Sequence, residues 1–201
     1  MKPEYPDSIG GYKIRDPYGV YFLTFTTVGW VDLFTRTECK NIIIDSLSYC
    51  MKNKGLDIYA YVIMGSHIHI IMRAEENTSG LSNIIRDFKK FTSKKLIDWI
   101  INSGKESRKE WLEIVMKYHV KHNNRNSTYQ LWQHTNQPKE CNSPTFTWQK
   151  INYIHNNPVV SGIVDYPEDY RHSSARNYLM KDNYLLPVTL MELDTEIGYV
   201  G

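Results

Sequence analysis

Residues 59–73 read Tyr-Ala-Tyr-Val-Ile-Met-Gly-Ser-His-Ile-His-Ile-Ile-Met-Arg. Two apolar runs rich in β-branched residues flank Gly65-Ser66, the pattern of two antiparallel strands joined by a tight turn. Strand side chains alternate between faces, so His67 and His69 project from one side and Ile68 from the other, into a core. Two imidazoles converging on one point are half of a metal site. The other half has to come from elsewhere in the chain.

Outward from this hairpin, residues 20–28 form a β-branched and aromatic strand. A helix over residues 37–54 follows, with Thr37 as N-cap, Glu38 in the first turn and Gly55 at its end. After the hairpin, residues 81–101 have helical apolar spacing (Leu81, Ile84, Ile85, Phe88, Leu96, Trp99). Residues 105–126 continue helical before breaking up in Asn and Arg, and residues 129–133 read as a fourth strand. Strand, helix, strand, strand, helix, strand is the ferredoxin-like split βαββαβ order. It predicts an α+β fold with an antiparallel sheet and helices on one face. A further helix over residues 145–156 ends before Pro158, because the residue preceding a proline disfavours helical backbone. The organisation is then an irregular arm (1–18), one domain (19–180) and a C-terminal tail (181–201).

Composition sets bounds on function. A hydrophobic fraction of 41% and 23% charged residues suit a folded globular chain and exclude wholesale disorder. A net charge of +2 is too small for general attraction to nucleic acid, so such affinity needs a local basic face. Cys39, Cys50 and Cys141 have no framework spacing, which points to a reducing, cytoplasmic setting. The first residues carry no apolar run and no stretch is long enough to span a bilayer, so neither a secretory signal nor a membrane partner is expected.

The second chemical cluster is Tyr153-Ile154-His155-Asn156-Asn157-Pro158. On a helix Tyr153 and Asn157 share a face, and a hydroxyl and an amide oxygen one turn apart can reach an ion held by two histidines. Read structurally, the same residues are a tyrosine packed on the sheet and an Asn-Pro helix stop. His119 and His122 lack carboxylate or cysteine support for a second metal site.

Four pieces occur in order: Met64-Gly65-Ser66-His67-Ile68-His69; Leu131-Trp132-Gln133; Tyr153 through Val159; and Pro167-Glu168-Asp169-Tyr170 followed by Ser173-Ser174-Ala175. In these the chain resembles the HUH single-strand tyrosine transposases, in their REP-associated tyrosine transposase and IS200-like branch, over residues 11–178. The resemblance implies a ferredoxin-like core with a C-terminal catalytic helix, a metal-dependent tyrosine nuclease and recognition of DNA hairpins. It casts Tyr153 as nucleophile and His67, His69 and Asn157 as ligands of a divalent metal, Mg2+ or Mn2+. Two departures stand out. Gly65-Ser66 replaces a usual Pro-Asn, and residues 134–141 lack the usual aromatic, His and Arg-Asp or Arg-Asn pattern.

The implied reaction is attack by Tyr153 on single-stranded DNA, giving a 5′-phosphotyrosyl link and a free 3′-hydroxyl that can later reverse the step. A phenol is a weak nucleophile at neutral pH, so the metal's task is to polarise the phosphate. One nucleophile cuts once per site, so full transposition takes two active sites, supplied by a homodimer or by two separate bindings of a monomer. Arg86, Lys89, Lys90, Lys94 and Lys95 make the second helix's polar face basic, an expected DNA footprint. Lys121, His122, Arg125 and the arm at Tyr5, Tyr12 and Lys13 are further candidates for reading bases. The competing function is a nucleic-acid-binding module on the same sheet, non-catalytic or domesticated, that needs neither Tyr153 nor Asn157. A water-using hydrolase would need carboxylates in the histidine and tyrosine motifs, and neither His67-Ile68-His69 nor Tyr153 through Pro158 has one.

Overall fold

Alternation and turn chemistry shape the sheet in the computed structural model, which describes residues 13–121 and 128–191. The elements are β1 (Tyr21–Thr26), α1 (Thr37–Lys54), β2 (Leu56–Ile63), β3 (His67–Ala74), α2 (Leu81–Asn102), α3 (Lys109–Lys121), β4 (Lys139–Glu140), α4 (Pro144–Val160) and α5 (Ala175–Leu179). The strands pair antiparallel in the order β2-β3-β1-β4, the ferredoxin-like arrangement the element order predicts. Gly55 ends α1 in the left-handed region at φ 61. A Cβ there would lie 2.6 Å from Thr78 Cγ2.

The two sheet faces have different partners. Leu23, Phe25, Ile68, Ile70 and Met72 point at α1 and α2, with Ile43, Leu47, Ile84 and Phe88. Phe22, Ala60, Val62 and Ile71 point the other way, where Trp148, Ile151 and Ile154 of α4 cover them. The predicted helices lie on one face, and α4 turns that half of the sheet into the middle of three layers. Ser143 caps α4, accepting from Phe146 N at 3.3 Å, and Pro144 starts it.

Three expectations need correction. Residues 129–133 are not the fourth strand. Leu131 and Trp132 are both buried in the same core, which strict alternation forbids, and Trp132 donates Nε1–H to Thr92 Oγ1 at 3.0 Å. The segment runs beside the end of β1 through Val28 N to Leu131 O and Gln133 N to Thr26 O. Strand pairing resumes only at Lys139 and Glu140. Second, α4 does not stop before Pro158. The proline is buried inside its last turns, and the helix closes beyond it through Ser161 N to Asn157 O and Ile163 N to Pro158 O. Burial of Pro158 outweighs the local preference. Third, Thr37 is the first residue of α1, whose N-cap is Arg36 with no side-chain bond.

The segment after α4 closes the outer edge of β2. Ile63 N donates to His172 O, Ser174 N to Tyr61 O and Thr189 N to Ile58 O, which satisfies an edge that would otherwise stay open. Leu186 reaches the core, so residues 181–191 pack with the domain. Tyr5, Tyr12, His122, Arg125 and the Lys121 side chain lie outside the described residues.

Candidate active site

The β-hairpin sets the first half of the site. Strand alternation puts His67 and His69 on the α4 face of β3, with ring centroids 4.7 Å apart. β1 is in register so that Thr24 faces His69 and Phe22 faces Ile71. Thr24 Oγ1 lies 3.0 Å from His69 Nδ1, and the Phe22 ring stacks on the imidazole at 5.5 Å. These contacts fix the ring plane and turn Nε2 toward α4. On His67, Nδ1 meets Ser66 Oγ at 3.2 Å, so Ser66, one of the two turn residues that depart from the family pattern, anchors a site histidine.

α4 brings the second half. Tyr153 hydroxyl lies 3.2 Å from His69 Nε2, and the two rings meet edge to face at 5.1 Å. Asn157 is one turn further along the same helix. Together with Gln149, Asn152, Asn156 and Val160, Tyr153 and Asn157 line a recess of about 340 Å3. Asn152 Oδ1 is buried there without a partner. Two distant stretches of sequence thus meet at one hydroxyl and one imidazole nitrogen.

Electrostatics favour neutral imidazoles. Burial, then the charges of His67 and Lys150, push His69 down to about 3. Burial also lowers His67. Neutral imidazoles keep a lone pair for a metal at physiological pH. Lys150 sits one turn before Tyr153, its ammonium 5.6 Å from the Tyr153 ring centroid and 5.3 Å from that of Phe22. Burial, then the charge of Lys139, lowers its pKa. It brings positive charge beside the Tyr153 ring.

The donor set suits a divalent ion. Two imidazoles on one face, each with a hydroxyl against its Nδ1, could hold such an ion through their other ring nitrogens. Among the described residues no group of three or more His, Cys, Asp or Glu is placed to hold a metal ion.

The basic face of α2 is not part of this site. Its apolar side packs on the sheet face opposite to His69. Lys89 is turned inward, donating to Gln133 O and Asn136 Oδ1 at 2.6 Å each, and burial lowers it to about 8. Arg86 pairs with Asp87 at 3.0 Å. Lys90 and Lys94 border a groove of about 670 Å3 with Tyr49 and Phe91, and Lys95 lies over the Phe91 ring. His155, inside the tyrosine motif, is fully buried and meets Ser174 Oγ at 2.9 Å. It ties α4 to the segment edging β2. Lys150 and Thr24 escaped the sequence reading. Spacing three before Tyr153 would have flagged Lys150, whereas Thr24 is found only through the β1–β3 register.

Among solved structures, the chain is similar to a REP-associated tyrosine transposase bound to a REP hairpin. The two share 16% identity with a TM-score of 0.58, over 94% of this chain and 99% of that one, a likeness of fold. No curated protein matches. The family described as "Transposase IS200 like" matches residues 21–123, from β1 past the end of α3, a span that holds His67 and His69 but not Tyr153 or Asn157. Half of the chain answers to that one family, and the chain belongs to the IS200-like transposases.

Proposed function

We propose that this transposase cuts and rejoins single-stranded DNA through Tyr153, at sites associated with hairpins. The observation that carries the reading is the 3.2 Å contact between Tyr153 hydroxyl and His69 Nε2, beside a second histidine. The Tyr153 oxygen attacks a phosphorus, the bond to the 3′-oxygen breaks, and the strand's 5′-phosphate stays on the tyrosine. The phenol loses its proton and the departing 3′-oxygen takes one up, so the 3′-hydroxyl can later reverse the step with no external energy source. His67, His69 and Asn157 would hold a divalent ion, Mg2+ or Mn2+. Once bound, it would supply Lewis-acid polarisation of the scissile phosphate. Thr24 and Phe22 orient His69, and Lys150 supplies a fixed positive charge for the same phosphate. The fold neighbour's bound REP hairpin supports a hairpin-associated substrate. One nucleophile per chain supports a homodimer for a complete reaction.

The test mixes the full chain and Mn2+ with labelled single strands carrying the hairpins that flank its gene, resolved on a denaturing gel. A covalent protein–DNA band that disappears in Tyr153→Phe is expected. Cleavage that survives Tyr153→Phe would remove the nucleophile assignment. His67→Ala and His69→Ala are each expected to lose cleavage while keeping strand affinity.

A further inference from the structure

The turn after β1 projects an aromatic side chain that the core does not use. Trp30 is 62% exposed, and its ring centroid lies 5.9 Å from that of His67 with the planes at 71°. It begins a row of four rings that continues from His67 to His69 at 4.7 Å and from His69 to Tyr153 at 5.1 Å. Its backbone is unusual. Trp30 has φ 54, directly after Gly29 at φ 61, and a bulky residue at positive φ persists only where the surroundings hold it.

The surroundings do hold it. Trp30 N donates to Thr27 O at 3.2 Å. Thr27 Oγ1 lies 2.8 Å from Val31 O and 2.9 Å from Ser66 O. Phe34 N donates to Gly65 O at 2.8 Å, and Arg108 pairs with Asp32. From behind, α3 presses on the turn, because a Cβ on Gly29 would stand 3.1 Å from Val115 Cγ1. A strained, well-anchored turn thus presents an indole to solvent beside the histidine pair, where burial gains nothing from it.

We infer that Trp30 is a stacking platform for a base next to the phosphodiester that Tyr153 attacks. The inference rests on the single-strand reading above and adds the contact that seats the strand. Every base has a π-face, so an exposed indole binds a strand whatever its sequence. A phosphate lying against His67, His69 and Tyr153 leaves its neighbouring base at the Trp30 end of the row.

The experiment measures affinity without cleavage. The full chain carrying Tyr153→Phe is titrated, without metal, into fluorescein-labelled dT12 and into a 12-mer of abasic residues, followed by fluorescence polarisation. The protein with Trp30 intact should prefer dT12. Adding Trp30→Ala should weaken dT12 binding at least about fivefold and leave the abasic strand unchanged. Trp30→Phe should recover most of the loss. Three results would overturn the inference: no preference for dT12 with Trp30 intact, no change in Trp30→Ala, or an equal loss on both strands, which would mean a role in folding or charge. The covalent-band assay is separate. A dT12 preference that depends on Trp30, with no covalent band, would sink the nuclease reading and leave the platform standing.

Discussion

Three hydroxyl contacts decide how the site histidines and their support are held. Thr24 Oγ1 is the partner of His69 Nδ1, so Thr24→Val should lower Mn2+ affinity about 10- to 100-fold, as loss of an outer-shell partner does. Calorimetric titration of the metal measures it, and an unchanged affinity would mean that Thr24 does not orient the ligand. Ser174 Oγ takes the N–H of Tyr61 at 2.9 Å and meets His155 Nε2 at the same distance. Ser174→Ala removes one hydrogen-bond partner from each of these buried groups and should cost about 1–3 kcal/mol. Thermal unfolding would show this as a midpoint lower by about 2–4 °C per kcal/mol. Tyr153 needs no such support to fold, because it is half exposed. Its replacement by Phe should leave the unfolding midpoint nearly unchanged.

At the level of elements, the question is which helix faces the chemistry. α4 does; α2 lies across the sheet. Lys89 belongs to α2 but anchors the segment between Trp132 and β4 through Gln133 O and Asn136 Oδ1. Lys89→Ala should therefore cost about 1–3 kcal/mol of stability, where a phosphate contact would cost affinity and flatten its dependence on salt. Chemical denaturation beside a salt series of strand affinity separates the two. A flatter salt dependence with unchanged stability would return Lys89 to the DNA footprint. Lys150 is the contrasting case. It lies against the Tyr153 and Phe22 rings, and Lys150→Met should weaken strand binding and reduce its salt dependence by about one phosphate contact.

Across the whole molecule, the segment that edges β2 makes stability depend on pH. Burial, then the charges of Lys40 and Arg171, push His172 down to about 4. The folded form thus stays neutral where an unfolded histidine, ionising near 6.5, is already charged. Between about pH 6.5 and 4 the unfolded chain binds the additional proton, so this contribution to stability is full above 6.5 and is lost as pH falls through that window. Denaturant midpoints at pH 7 and pH 5 should differ in wild type, and the difference should shrink in His172→Gln. Near this edge Tyr170 hydroxyl donates to Ile63 O at 2.7 Å and Lys40 contacts the same hydroxyl. No helix among the described residues is long and apolar enough to cross a membrane.

Local chemistry was enough to read the hairpin, because Gly65-Ser66 and the alternation of residues 59–73 impose turn, strands and facing histidines without distant help. The element order then led to the antiparallel sheet, and helical spacing placed Tyr153 and Asn157 on one helix. Tertiary structure decided what depends on several elements at once. Packing of Leu131 and Trp132 into one core moved the fourth strand to residues 139–140, and burial carried α4 through Pro158. Only the fold put Tyr153 against His69, since the hydroxyl and the imidazole are 84 residues apart in the chain. Which face of the sheet α2 and α4 each cover is likewise invisible to amphipathic spacing. That spacing says that a helix buries one side, and only the assembled sheet determines what the side is buried against.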